Sequence, residues 1–171
     1  MPETTAVEGL IARAAIAEAL YLYARGWDRR DEALLRAAFH PDATTLIGDA
    51  EHATHPMIGE WLALLAPVPA MTHLIHNILI DLEPAGDCAR CESHFVAHHR
   101  RPGVDSSPDS DWFVKGRYLD RFERRADGAW RIARRIQIVE LDHAFPATGP
   151  TDDRAEDEAV IAFYAGLNAS R

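Results

Sequence analysis

The chain has 171 residues, 47% apolar and 26% charged, with 27 acids against 18 bases and a formal net charge of -9. This length and composition fit one globular domain with a sizeable core. The acidic balance argues against broad nucleic-acid binding, which needs a basic footprint, and against adsorption to an anionic membrane.

No apolar run approaches the roughly 20 residues of a membrane helix. The opening MPETTAVEGLIARAAIAEAL carries Glu3, Glu8, Arg13 and Glu18 where a signal peptide has a basic start and an apolar block, so none is read. The first predicted element is a helix over 7–26, in which Leu10, Ile11, Ala14, Ala15, Ala19, Leu22 and Tyr23 recur at helical spacing and Gly26 is a plausible stop. DEALLRAAF follows as a short second helix with Asp31 as its N-cap. HPDA breaks it, TTLIG reads as a short strand, and HPMIGEWLALLAP as a third helix closed by Pro67 and Pro69. His40, His52 and His55 fall in turns of this region, too scattered to make a metal site expected.

From residue 72 the pattern changes to strand period. A strand over 72–83 is followed by the turn PAGD, a strand from CARCESHFVAHHR, the polar loop RPGVDSSPDSD, the strand WFVKGRYLDRFERR, an ADG turn and the strand AWRIARRIQIVELD. Helices first and an antiparallel meander after them predict an α+β domain, helices on one face of a curved sheet, over 1–144. Residues 145–171 form a tail: linker-like PATGPTDDRAEDE, then AVIAFYAGL as a candidate short helix. Cys88 and Cys91 make a lone C-x-x-C at the start of a strand, on opposite faces; they read as small apolar filler in a reducing cytoplasm and not as a zinc or redox site.

The stretch MTHLIHNILIDLE places two histidines three positions apart on a strand. Side chains alternate between faces, so His73 shares a face with Ile75, Asn77 and Leu79, and His76 lies on the other with Thr72, Leu74, Ile78 and Ile80. In the last strand the same rule groups Arg131, Ala133, Arg135, Gln137 and Val139 on one face, and Trp130, Ile132, Arg134, Ile136 and Ile138 on the other. Parity with Phe95 and Ala97 selects His99 among His94, His98 and His99; His76, His98 and His143 read as structural or exposed.

Three blocks, YLYARGWDRRDEALLRAAFHPDA, MTHLIHNILIDLE and GRYLDRFERRADGAWRIARRIQI, resemble the SnoaL-like polyketide cyclase family of the nuclear transport factor 2-like superfamily over roughly residues 7–142. The resemblance implies a cone-shaped α+β barrel with three N-terminal helices on a strongly curved, mostly antiparallel sheet, assembled as a dimer or trimer. In its lyase members, such as scytalone dehydratase and lindane dehydrochlorinase, an Asp after the first helix pairs with a His on the first long strand; Asp28 and His73 match those positions. Asn77 matches an H-x-x-x-N spacing, Arg135 an Arg after W-x-x-x-x-R, and Trp27 an aromatic before the Asp. The lindane enzyme also has a Lys one helical turn before its Asp, whereas Tyr23 or Ala24 stands there in this chain, whose only lysine is Lys115.

A histidine near neutrality can take and return a proton, and a carboxylate on its other ring nitrogen fixes the tautomer. The resemblance therefore implies a cofactor-independent lyase or isomerase in which His73 is the base, Asp28 its orienter and Arg135 a contact for an oxyanion, a leaving group or a substrate carboxylate. Tyr23, Trp27, Trp61, Leu64, Asn77, Phe95, His99 and Tyr118 are the substrate-binding candidates. The expected partner is a small hydrophobic, aromatic or polycyclic substrate, with no metal, nucleic acid or membrane. Dehydration, β-elimination and ring closure fit this set; eliminative carbon–carbon cleavage of an aromatic diol uses the same base. A non-catalytic binding or assembly subunit of the same fold needs no dyad at all.

Overall fold

The computed structural model describes residues 5–105, 107–148 and 162. Its elements are α1 (Ala6–Asp28), α2 (Glu32–Ala37), β1 (Phe39–Ile47), β2 (Ala50–Ala53), α3 (Thr54–Leu65), β3 (Ala70–Leu82), β4 (Cys88–Arg101), β5 (Ser110–Arg124) and β6 (Trp130–Pro146). The six strands form one sheet in the order β2-β1-β6-β5-β4-β3. Every pairing is antiparallel except β1 on β6. The three helices cover one face of this curved, open sheet. The β1–β2 hairpin, turned by Gly48 at φ 59°, interrupts the helical group where a single short strand was expected. None of the described helices is long and apolar enough to cross a membrane.

Helix α1 begins with a capping box: the Thr5 side chain accepts from the Glu8 backbone N–H, and the Glu8 carboxylate accepts from the Thr5 N–H. Its buried stripe is Ala12, Ile16, Leu20, Tyr23 and Trp27, whereas Leu10, Ile11 and Leu22 are exposed, so the inward face is rotated from the expected one. Gly26 does not stop the helix. It sits inside the last turn, where a Cβ would lie 2.8 Å from Leu35 Cγ; the missing side chain lets α2 pack close. The stop comes at Arg30, in the left-handed region at φ 53°, with the Asp31 N–H donating to the Gly26 carbonyl. The extra turn puts Trp27 and Asp28 on the helix. Asp31 then caps α2 by accepting from the Leu34 N–H, as expected.

The sheet shifts register between Phe39 and Thr44, where β1 pairs with β6, and in three places along its long antiparallel strands. In β3 the register slips between His76 and Leu79, around Asn77 at φ 52°. In β6, Ala133 and Glu140 are the extra residues where the pairing with β5 shifts. Each bulge exchanges the faces for the residues beyond it and bends the strand. Hence Ile78, Ile80 and Leu82, not Asn77 and Leu79, continue the half-buried face after His73 and Ile75. Trp130 and Ile132 share the inner side with Arg135 and Gln137, although parity separated them. β4 has no such break, and Ala89, Cys91, Phe95, Ala97 and His99 all face inward.

β6 runs through Pro146, with Phe145 opposite Asp111, so the sheet extends two residues into the expected tail. The candidate helix AVIAFYAGL lies outside the described residues apart from Ala162. His40 is buried on β1 with Nε2 3.0 Å from the Glu123 carbonyl oxygen, His52 is exposed on β2, and His55 is the second residue of α3. None of the three is in a turn. Cys88 and Cys91 are free, and burial pushes the Cys91 thiol up to about 12.

At the bulge beside Gly116 the strands come so close that a Cβ would sit 1.8 Å from the Ile138 carbonyl oxygen, a backbone atom that cannot swing aside. Gly116→Ala is expected to cost stability at the upper end of the roughly 1–3 kcal/mol typical of overpacking. Urea denaturation of the variant checks this; an unchanged midpoint would mean the β5–β6 approach is looser than described.

Candidate active site

Between the helices and the inner sheet face lies a cavity of about 230 Å³. Tyr23 and Trp27 come from α1, one turn apart. Ile58, Trp61 and Leu65 come from α3, and Phe95 and Ala97 from β4. The walls are mainly apolar, and the volume is below the roughly 300–1,000 Å³ of drug-sized sites, so the space suits a compact ligand.

His73 reaches this cavity from β3. Its side chain is 8% exposed, and that of Asp28 is 29% exposed. Asp28 Oδ1 lies 2.9 Å from His73 Nδ1 and also accepts the His73 backbone N–H at 2.7 Å. An ionised carboxylate only accepts, so Nδ1 carries the proton and Nε2 keeps its lone pair. One oxygen thus fixes the strand, the ring and the tautomer together. Trp27 lies alongside the imidazole with ring centroids 6.2 Å apart, and His99 meets it edge-on at 5.3 Å. His99 is 4% exposed with a buried Nδ1 that has no hydrogen-bond partner. Burial, with a smaller contribution from His73, lowers its pKa to about 3. It is therefore a neutral imidazole beside the candidate base.

Arg135 also lines the cavity, at 1% exposure. Its Nε and Nη2 donate to the two oxygens of Asp120 at 2.7 and 2.8 Å. The guanidinium carbon lies 3.8 Å from the Tyr118 ring centre and 4.3 Å from that of Tyr23. Burial is the largest single effect and works against its charge, but Asp120, with Tyr23 and Tyr118, together outweigh it and keep the guanidinium protonated. Nη1 remains without a partner. Tyr118, whose face the sequence left open, points inward and stacks on Phe95 with centroids 4.4 Å apart; burial raises its pKa well above the ordinary tyrosine value.

Two expected substrate contacts lie elsewhere. Leu64 is 66% exposed, because the inward face of α3 carries Thr54, Ile58, Trp61 and Leu65. Asn77 is exposed at the β3 bulge and does not line the cavity; the extra residue there breaks the His73–Asn77 parity. Sequence reasoning missed Asp120, Thr45, Thr54 and Trp112. Asp120 alternates inward with Tyr118 and Phe122, so strand parity would have found it once Tyr118 was assigned. Thr45 and Thr54 carried no signal of their own. Among the described residues no group of three or more His, Cys, Asp or Glu side chains forms a metal-binding cluster.

Two outcomes follow from these buried charges. Removing Asp120 leaves the Arg135 charge buried without its counterion, so Asp120→Ala is expected to lose about 3–5 kcal/mol, read by chemical denaturation. His99 binds its proton near pH 6.5 when unfolded but only near 3 when folded. The unfolded state therefore holds more protons between these values, and stability falls as pH drops through that window, by on the order of 1 kcal/mol per unit. Denaturation curves across pH should show a shallower acid loss in His99→Asn than in the parent; parallel curves would exclude His99 as the source.

The domain pattern of the SnoaL-like domain matches residues 8–136. No curated protein matches the chain. Among solved structures, the Kfla4162 protein from Kribbella flavida is 24% identical with a TM-score of 0.69, covering 79% of this chain and 95% of its own. Hexachlorocyclohexane dehydrochlorinase LinA-type3 from Novosphingobium barchaimii is 16% identical with a TM-score of 0.72, covering 86% and 99%. A putative scytalone dehydratase from Novosphingobium aromaticivorans is 19% identical with a TM-score of 0.68, covering 86% and 100%. At these identities the structural matches establish a shared fold, and the match over residues 8–136 places this chain in the SnoaL-like domain family.

Proposed function

We propose that the protein is a cofactor-independent lyase or isomerase that uses His73 as general base on a small hydrophobic substrate. The observation carrying this reading is the Asp28–His73 contact of 2.9 Å at the wall of a mainly apolar cavity. A C–H proton passes to His73 Nε2, and Asp28 stabilises the imidazolium that forms. The proton then leaves with a departing group, giving elimination, or returns to another carbon, giving isomerisation. An addition to a carbonyl gives ring closure by the same first step. The neutral His99 stands beside the base without adding a second positive charge. The relatives described as dehydrochlorinase and putative scytalone dehydratase support an elimination chemistry. A purely structural subunit gives no reason for a nearly buried imidazole held by a carboxylate at an open cavity.

The test is a screen of small aromatic alcohols and ring-forming ketones, followed by variants on whichever compound turns over. His73→Ala is expected to lower kcat/KM by about 10²–10⁴, the usual worth of a general base. Asp28→Asn should lower kcat with little change in KM, since it orients the base without touching substrate. Full turnover in His73→Ala would defeat the proposal. Release of formaldehyde from an aromatic diol would assign the same dyad to carbon–carbon cleavage instead.

A further inference from the structure

The cavity has a second polar pole that the dyad does not use. Thr45 on β1 pairs in register with Arg135 on β6, and both side chains line the cavity. Thr54, the first residue of α3, lies against Thr45, with the two hydroxyl oxygens 2.9 Å apart and both residues essentially unexposed. Either hydroxyl can donate to the other, so one proton of the pair is always free to turn elsewhere. Beside them Arg135 spends Nε and Nη2 on Asp120, and its planar geometry leaves Nη1 on the side away from that carboxylate, buried and without a partner. A buried donor that bonds to nothing carries the full cost of its lost hydration, so an arrangement that retains one beside a cavity is suited to a ligand acceptor.

The charge at this pole decides which acceptor. Asp120 cancels the guanidinium charge at bidentate distance, so the pole offers directed N–H and O–H donors with no net positive charge. A carboxylate placed there would bring an uncompensated negative charge into an apolar interior, which is far more costly than burying a neutral oxygen. We propose that Arg135 Nη1, Thr45 and Thr54 form an acceptor subsite that selects ligands with an uncharged carbonyl oxygen and rejects the corresponding carboxylates. This rests on the cavity being the substrate site of the proposed lyase or isomerase, and it narrows that substrate class to neutral carbonyl compounds.

The test is binding, so it does not depend on turnover. Acetophenone, ethylbenzene and benzoate match in ring and size and differ in the acceptor: neutral, absent and charged. Their affinities for the intact protein are measured by calorimetry or by quenching of tryptophan fluorescence. The parent protein is expected to bind acetophenone about tenfold more tightly than ethylbenzene, as one good hydrogen bond predicts, with benzoate the weakest. The double variant Thr45→Val with Thr54→Val replaces both members of a hydrogen-bonded pair by groups of the same shape, a change that can be nearly neutral for folding. It should lose most of the acetophenone preference and leave ethylbenzene binding unchanged. His73→Ala should keep the preference, which separates this subsite from the dyad: an inactive parent that still prefers acetophenone upholds the subsite and counts against the lyase reading. No preference for acetophenone in the parent, tighter binding of benzoate, or a preference that survives the double variant overturns the subsite.

Discussion

A guanidinium with almost no exposure is tolerable inside this protein because Asp120 faces it on the neighbouring strand. The pair spans β5 and β6, the two strands at the middle of the sheet, and the two nearest rings flanking the guanidinium are Tyr118 from β5 and Tyr23 from α1. Helix, sheet and cavity floor therefore meet on one charge pair. Its desolvation is severe, and a buried pair of this kind is weak evidence for stability in itself. What it does is fix geometry: the bidentate bonds set the guanidinium plane, and that plane sets where Tyr23 and Tyr118 lie.

The other end of the cavity handles charge differently. Asp28 keeps some contact with solvent while His73 is nearly buried, so the ring lies in a drier place than the carboxylate that holds it. His99 cannot share the proton, because burial and His73 itself both disfavour its charged form. The two histidines are thus unequal by environment although they are the same residue. The proposed base and the proposed acceptor subsite thus sit in different electrostatic surroundings.

Much of this was legible in the sequence, and the failures have a common cause. Helix spacing, turn residues and the shift to strand period located α2, α3 and the four long strands, and Asp28 and His73 stood out because their types and order resemble a known pairing. Parity then worked along β4, where His99 was found, since nothing interrupts its pleat. It failed along β3 and β6, where single extra residues change the faces. Asn77 is itself a residue that tolerates the left-handed region, so it was a mark of the bulge where it had been taken for a pocket group. Gly26 misled for a related reason: its value lies in close packing on Leu35, a tertiary fact that local rules read as a helix end. Thr45 and Thr54 meet only through the hairpin that brings α3 over β1, and no local pattern announces that.

The unbroken run of α1 through Tyr23, Trp27 and Asp28 makes this helix a ruler for the cavity. An α-helix advances about 1.5 Å and turns about 100° with each residue. A single insertion between Tyr23 and Asp28 would swing the carboxylate to another side of the cylinder while the wall residue stayed in place. The connections at 84–87 and 102–109 carry no such phase, since each only joins two neighbouring strands of the sheet. Divergence in this chain is thus expected to accumulate as loop length in those two connections, with the spacing of the last turns of α1 held constant.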